Sequence, residues 1–263
     1  MEEPLASGIH TLRIDDVIVD LLHDDRGGET LLVFFPSALT PSATWPYFAG
    51  AGIAERLGVS LLAFSDPSVN IPGVGTGWTL GDRRISFHRH VPRIIRSVAC
   101  GRQVVMAGSS AGGFSAMHYN SQVEGSTAIA INPRTHLLMP PTAVQHASRR
   151  LYGTSDVAEI RALVPVEPEP SANRIIYVQN TGDHPYFSGQ MVPWLLRHLA
   201  HANVWAYMDH WGDGHVALPR PQMDELVAAV IADPAAGGRG FKVSNVDQVL
   251  DAQAARNVAR HVR

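Results

Sequence analysis

Gln103-Val104-Val105-Met106-Ala107-Gly108-Ser109-Ser110-Ala111-Gly112-Gly113 joins a short apolar run to a pair of serines set among glycines. Gln103 to Ala107 shows no polar alternation, the pattern of a strand buried on both faces of a sheet. The residues after it, Ala111 to Gln122, read as a helix. Between them lies Gly-Ser-Ser-Ala-Gly, a G-x-S-x-G pattern centred on Ser110. A sharp turn from strand to helix forces the central serine into a strained conformation with its hydroxyl exposed. The residues two before and two after must be small because the backbones approach closely there. The helix that opens at Ala111 also aims its first amides at any negative charge forming beside Ser110. An ordinary glycine-rich turn between strand and helix is the plainer alternative. Ser109 is the rival nucleophile, flanked by Ala107 and Ala111; two glycines relieve crowding better than two alanines, which favours Ser110.

Working outward, further apolar runs occur at 31–35, 59–64, 127–131, 174–179 and 203–208, and residues 12–22 read as strand structure around an Asp15-Asp16 turn. Helical patterns fall between them at Trp45–Leu57 after Thr44 as N-cap, Val91–Cys100, Met191–Ala202 and Pro221–Ala232. Alternating strands and helices of this kind predict an α/β protein with a mostly parallel, doubly wound sheet and helices on both faces. Ser65–Phe87 is rich in glycine and proline and reads as loop. Residues 133–171 read as a small insertion or lid that ends in a proline-rich return to the sheet. The division expected is a catalytic body over 1–235 and a helical tail over 236–263. In that tail Val246, Leu250, Ala254, Val258 and Val262 recur every four residues, the mark of a helix that docks on the body or forms a homodimer contact.

Composition removes several function classes. Of 263 residues 45% are apolar, enough for a sizeable core, and 21 basic against 24 acidic residues leave no basic excess to bind nucleic acid. The single cysteine, Cys100, can form neither an intramolecular disulfide nor a thiolate zinc site. No apolar run reaches the ~18 residues of a membrane span, and the first residues, Met-Glu-Glu-Pro-Leu-Ala, lack the apolar core of a secretion signal. A cytoplasmic protein with no metal and no cofactor is the expectation.

With the elbow and the order of strands in view, residues 10–235 resemble the α/β-hydrolase family. In that family the nucleophile is followed along the chain by an acid and then a histidine. The strand after the elbow helix ends Ile131-Asn132-Pro133, with no carboxylate. The next runs into Asn180-Thr181-Gly182-Asp183-His184, so the resemblance implies Asp183 as the acid. The last strand leads into Asp209-His210-Trp211-Gly212-Asp213-Gly214-His215, and the resemblance implies His215 as the base. His210 competes with His215 but lies only two residues past the strand. Asp209 and Asp213 compete with Asp183. The resemblance further implies an oxyanion hole built from the Ala111 N–H and one donor after the first long buried strand. Pro36 has no N–H, so that donor is Ser37 or Ala38.

The three side-chain types suit one chemistry. A serine hydroxyl needs a base to remove its proton as it attacks. Histidine titrates near working pH and can return that proton to the leaving group. A carboxylate on the other ring nitrogen fixes the tautomer. The expected function is a serine hydrolase acting on a small-molecule ester or other acyl substrate, with Trp78 and His184 lining the pocket. Acyl transfer by the same triad and a non-catalytic binding protein of the same fold are the alternatives. Gly73-Val74-Gly75-Thr76-Gly77 lacks the Gly-Lys-Ser/Thr that a phosphate loop requires. Arg83-Arg84 and His88-Arg89-His90 form a basic patch, read as a solvated face or as a contact for an anionic substrate.

Overall fold

The structure, a computed structural model, describes residues 5–40, 43–139, 143–198, 203–233 and 243–244. Its centre is a sheet in the order β1-β2-β4-β3-β5-β6-β7-β8-β9. The chain enters through a hairpin of β1 (Gly8–Ile14) and β2 (Val17–Asp24). Asp15 and Asp16 both have positive φ at its turn, 48° and 64°, the backbone that matches the twist of a two-residue hairpin. β3 (Thr30–Phe35), β4 (Ser60–Phe64), β5 (Gln103–Ser109), β6 (Thr127–Ile131), β7 (Arg174–Asn180) and β8 (Val204–Asp209) then pair in parallel. β2 runs antiparallel to β4, and the two-residue β9 (Val243–Ser244) antiparallel to β8.

Both faces of the parallel strands are apolar because both are covered. In β3, Leu31, Val33 and Phe35 enter one core, and Leu32 and Phe34 enter the other. Helices α2 (Val91–Ala99) and α3 (Ala111–Asn120) pack on the first face. Helices α1 (Ala51–Leu57) and α8 (Arg220–Ala232) pack on the second. Phe35 is fully buried on the first side, its ring stacked between Phe64 at 5.6 Å and Tyr119 at 5.3 Å.

The segment over 133–171, expected as an insertion or lid, carries α4 (Ala143–Tyr152) and α5 (Val157–Leu163). It buries Leu151, Tyr152, Ile160 and Val164 in the same core as α2 and α3. Two expected helices change length. The helix expected over 45–57 begins only at Ala51: Pro46 disfavours helical backbone at Trp45, and Gly50, at φ 93°, turns the chain into the helix. The helix expected from Met191 begins instead at His184, as α6 (His184–Tyr186), a π-helical turn (Phe187–Met191) and α7 (Val192–Arg197) in succession. The helix expected within 246–262 lies outside the described residues.

Chain order along the sheet reverses at β3 and β5: β4 lies to one side of β3, whereas β5 to β8 extend from the other. Ligands of open α/β sheets bind at such a switch point, beyond the carboxyl ends of the strands. Register brings Phe35 at the end of β3 level with Gly108 of β5, and Ser109 level with Ile131 of β6. The close approach is tightest at Gly112, where a Cβ would lie 2.3 Å from the Phe35 carbonyl oxygen. Gly112→Ala is therefore expected to lower stability by about 1–3 kcal/mol, read as a fall in the midpoint of thermal unfolding.

Candidate active site

Ser110 sits at the junction of β5 and α3 with φ 55° and ψ −110°, a conformation an L-residue adopts only when its surroundings impose it. Its N–H donates to the Ile131 carbonyl at 2.8 Å. Gly108 and Gly112 lie back to back beneath it; a Cβ on Gly108 would be 2.4 Å from the Gly112 backbone. Ser110 is half-buried, at the floor of a cleft of ≈ 280 Å³ that Ala38, Ala111, Trp78 and Tyr186 also line. Ser109, the rival, donates its hydroxyl to the Ile131 carbonyl at 3.4 Å.

Asp183, three residues past the end of β7, is buried and uses both carboxylate oxygens. Oδ1 accepts the Tyr186 N–H at 3.4 Å and so caps the helical segment that follows; Oδ2 accepts from His215 Nδ1 at 2.5 Å. With the ring proton on Nδ1, His215 Nε2 keeps its lone pair. The Tyr186 ring is stacked on the imidazole, centroids 4.0 Å apart. The structure thus brings His215 and Asp183 into contact. Among the described residues it does not join Ser110 Oγ to either by a hydrogen bond; Tyr186 links them, stacked on His215 and lining the cleft of Ser110. His210 lies exposed, 3.8 Å from the fully exposed Asp213 carboxylate. Asp209 accepts from the His210 N–H.

Two buried asparagines hold the acid and histidine loops in register. Asn180 Nδ2 donates to the carbonyls of Gly212 at 2.8 Å and Gly214 at 3.0 Å, while its Oδ1 accepts from Gly182 and Trp211 N–H groups. Asn132, beside the elbow, accepts the Asn180 N–H at 2.6 Å and donates through Nδ2 to the Val216 carbonyl at 2.9 Å. Gly182 fits because a Cβ there would lie 2.1 Å from the Gly212 oxygen. A chain of direct hydrogen bonds therefore runs from the segment after β6 through the acid loop to the histidine loop.

The wall facing this frame is built on one buried carboxylate. Asp66, just past β4, accepts from the N–H groups of Ser68, Gly77 and Thr79 and from the Thr76 hydroxyl. Burial pushes its carboxyl up, and these donors oppose that by favouring the ionised form. The loop they hold contains Trp78 and Thr79, both at φ 55°. Ser115 and Tyr119 of α3 fasten it further by donating to the Trp78 and Thr79 carbonyls. Trp78 is buried and lines the cleft. His184 is exposed and is not among the lining residues; Tyr186, two positions on, is. The 73–77 glycine segment forms part of the same wall, with Gly75 accepting the Leu39 N–H at 2.8 Å. That bond commits Leu39, whereas the Ser37 and Ala38 N–H groups make no hydrogen bond among the described residues. Of the basic patch, Arg84 is held by Asp82 at 2.8 Å, His88 by the Leu80 carbonyl, and His90 lies 3.9 Å from Asp15.

Tyr186, Asn180, Asn132, Asp66 and Arg134 had no motif to announce them. Asn180 and Asn132 alone carried a local signal, as polar residues ending otherwise apolar strands.

No family model matches the chain, and no curated protein matches it. Solved structures do. The capsule O-acetyltransferase of Neisseria meningitidis serogroup A superposes with a TM-score of 0.58 at 12% identity, over 84% of this chain and 96% of that one. The Gap123 glycosylation-associated protein complex from Streptococcus agalactiae gives 0.63 at 13%, over 87% and 47%. Alpha/beta hydrolase domain-containing protein 10 from mouse gives 0.56 at 12%, over 87% and 98%. At such identities the likeness speaks to fold, and the chain has the α/β-hydrolase fold. No helix among the described residues is long and apolar enough to cross a membrane.

Asn180→Leu removes hydrogen bonds to four main-chain groups at once. It is expected to cost about 3 kcal/mol of stability, since each of the four bonds is worth a net ~0.5–1.5 kcal/mol and only the Gly182 partner is buried. Asp66→Ala strands three N–H groups and should cost as much. Thermal unfolding of both variants measures this.

Proposed function

We propose that the protein is a serine hydrolase that cleaves an ester-type acyl bond of a small molecule through Ser110, His215 and Asp183. The observation that carries this reading is the hydrogen-bonded His215–Asp183 pair, stacked on a tyrosine that lines the same cleft as the strained Ser110. Ser110 Oγ attacks the carbonyl carbon while His215 Nε2 takes its proton. The carbonyl oxygen gains the negative charge and is received by the Ala111 N–H at the start of α3 and by the N–H of Ser37 or Ala38. Asp183 stabilises the imidazolium across Nδ1. Collapse of the intermediate expels the alcohol, which takes the proton from His215 and leaves Ser110 acylated. Water, activated by the same imidazole, then releases the acid. Trp78 and Ala38 shape the space beside the reacting carbonyl. Ser109 is the weaker candidate nucleophile because its hydroxyl is turned to the Ile131 carbonyl.

Acyl transfer is the second reading, favoured by the similarity of fold to an O-acetyltransferase over most of both chains. One of the neighbours is a mutant of that enzyme in complex with CoA. The acylated serine is the same; an acceptor hydroxyl replaces water in the second half.

Ser110→Ala is expected to lower hydrolysis of p-nitrophenyl acetate by at least ~10³-fold and to abolish labelling by a fluorophosphonate probe, with Ser109→Ala retaining both. Asp183→Asn should lower kcat by a comparable ~10³–10⁴-fold through the wrong imidazole tautomer. Full activity in Ser110→Ala contradicts the reading. Product analysis with and without added alcohol acceptors separates hydrolysis from transfer.

A further inference from the structure

The Ser110 cleft is walled chiefly by small, aromatic and uncharged groups, and one of its lining residues carries a formal charge: Arg134. Only 4% of Arg134 is exposed. A guanidinium stays protonated at every working pH and presents a planar fork of N–H donors suited to oxyanions. In a poorly solvated wall its attraction for an anion exceeds what the same charge exerts in open water.

Arg134 is tied to the elbow itself, because its main-chain N–H donates to the Ser110 carbonyl at 3.2 Å. Nη1 donates to the Met139 carbonyl at 3.1 Å, and the guanidinium carbon lies 5.9 Å from the centre of the Tyr186 ring, the ring stacked on His215. The charge is therefore held at a set position relative to both the nucleophile and the imidazole. The basic patch seen in the sequence supplies no equivalent, since its residues are absent from the cleft lining.

We infer that the substrate of this cleft carries an oxyanion, a carboxylate or a phosphate or sulfate ester, which Arg134 binds while Ser110 attacks the neighbouring acyl bond. The inference rests on the hydrolase reading and goes beyond it by naming the charge of the substrate. Arg134 acts in binding and takes no part in proton transfer.

The test compares two matched ester pairs. p-Nitrophenyl acetate against p-nitrophenyl hemisuccinate puts the charge on the acyl side; phenyl acetate against 4-acetoxybenzoate puts it on the leaving side. Intrinsic reactivity cancels when the anionic-to-neutral ratio of kcat/KM for wild type is divided by that for Arg134→Gln. The expected result is a fall of that ratio by at least tenfold for one pair, carried mainly by KM, with partial recovery in Arg134→Lys. A second measurement needs no variant: succinate should inhibit turnover of p-nitrophenyl acetate competitively, and neutral succinamide should not. Ser110-dependent turnover whose ratio is unchanged by Arg134→Gln, with succinate and succinamide acting alike, overturns the inference and leaves the hydrolase reading standing. Absence of Ser110-dependent turnover of all four esters overturns both.

Discussion

Everything at the site depends on two glycines pressed against each other. Gly108 is the last residue but one of β5 and Gly112 the second of α3, and a methyl group on either would strike main chain. That contact bends the chain sharply enough to hold Ser110 at φ 55° and ψ −110°. The conformation costs free energy of the order of 1–3 kcal/mol. It persists because β3 and β6 grip the turn from both sides, Ile131 through the Ser110 N–H and Phe35 through its close approach to Gly112. The aromatic stack around Phe35 fixes β3 in turn. Core packing and site geometry are thus one problem: the strain at the serine is sustained by burial beneath it.

The same economy governs the two loops that meet above the sheet. Neither the turn after β7 nor the one after β8 has regular structure to stiffen it. Asn180 and Asn132 fill that role by giving their side-chain groups to main-chain partners, so the separation of Asp183 and His215 is set by direct hydrogen bonds and by the register of β7 with β8. Asp66 does the equivalent for the opposite wall. The cleft lies between two polar frameworks, each anchored at the carboxyl end of a strand.

Much of this was legible in the sequence, for a physical reason. Parallel strands buried on both faces are short apolar runs, and each run at 31–35, 59–64, 103–107, 127–131, 174–179 and 203–208 coincides with a strand to within a residue or two. The elbow was legible because steric closeness demands glycine at fixed spacing. Asp183 and His215 were implied by the family resemblance through their places after β7 and β8, and the structure puts these two side chains in hydrogen-bond contact. The helix expected over 45–57 after Thr44 forms only from Ala51, because Pro46 disfavours helical backbone at Trp45 and Gly50 takes φ 93°. Tyr186 and Arg134 carried no local signal, and the 73–77 glycines stood out only as a stretch unfit for a phosphate loop, since only tertiary folding makes all of these neighbours of Ser110. His184 stands next to Asp183 in the sequence, yet it is exposed, and Tyr186 of the same helix lines the cleft.

The central claim is that Ser110, His215 and Asp183 converge on one reacting carbonyl. The most direct measurement is a crystal structure of the protein after inactivation by a small alkyl fluorophosphonate, whose tetrahedral phosphorus stands in for the carbon under attack. The account predicts phosphorus bonded to Ser110 Oγ, the phosphoryl oxygen within hydrogen-bond distance of the Ala111 N–H, and His215 Nε2 facing the adduct with Nδ1 still on Asp183. Phosphorus on another residue, or an adduct at Ser110 with His215 turned away and the oxygen unpaired, would contradict it.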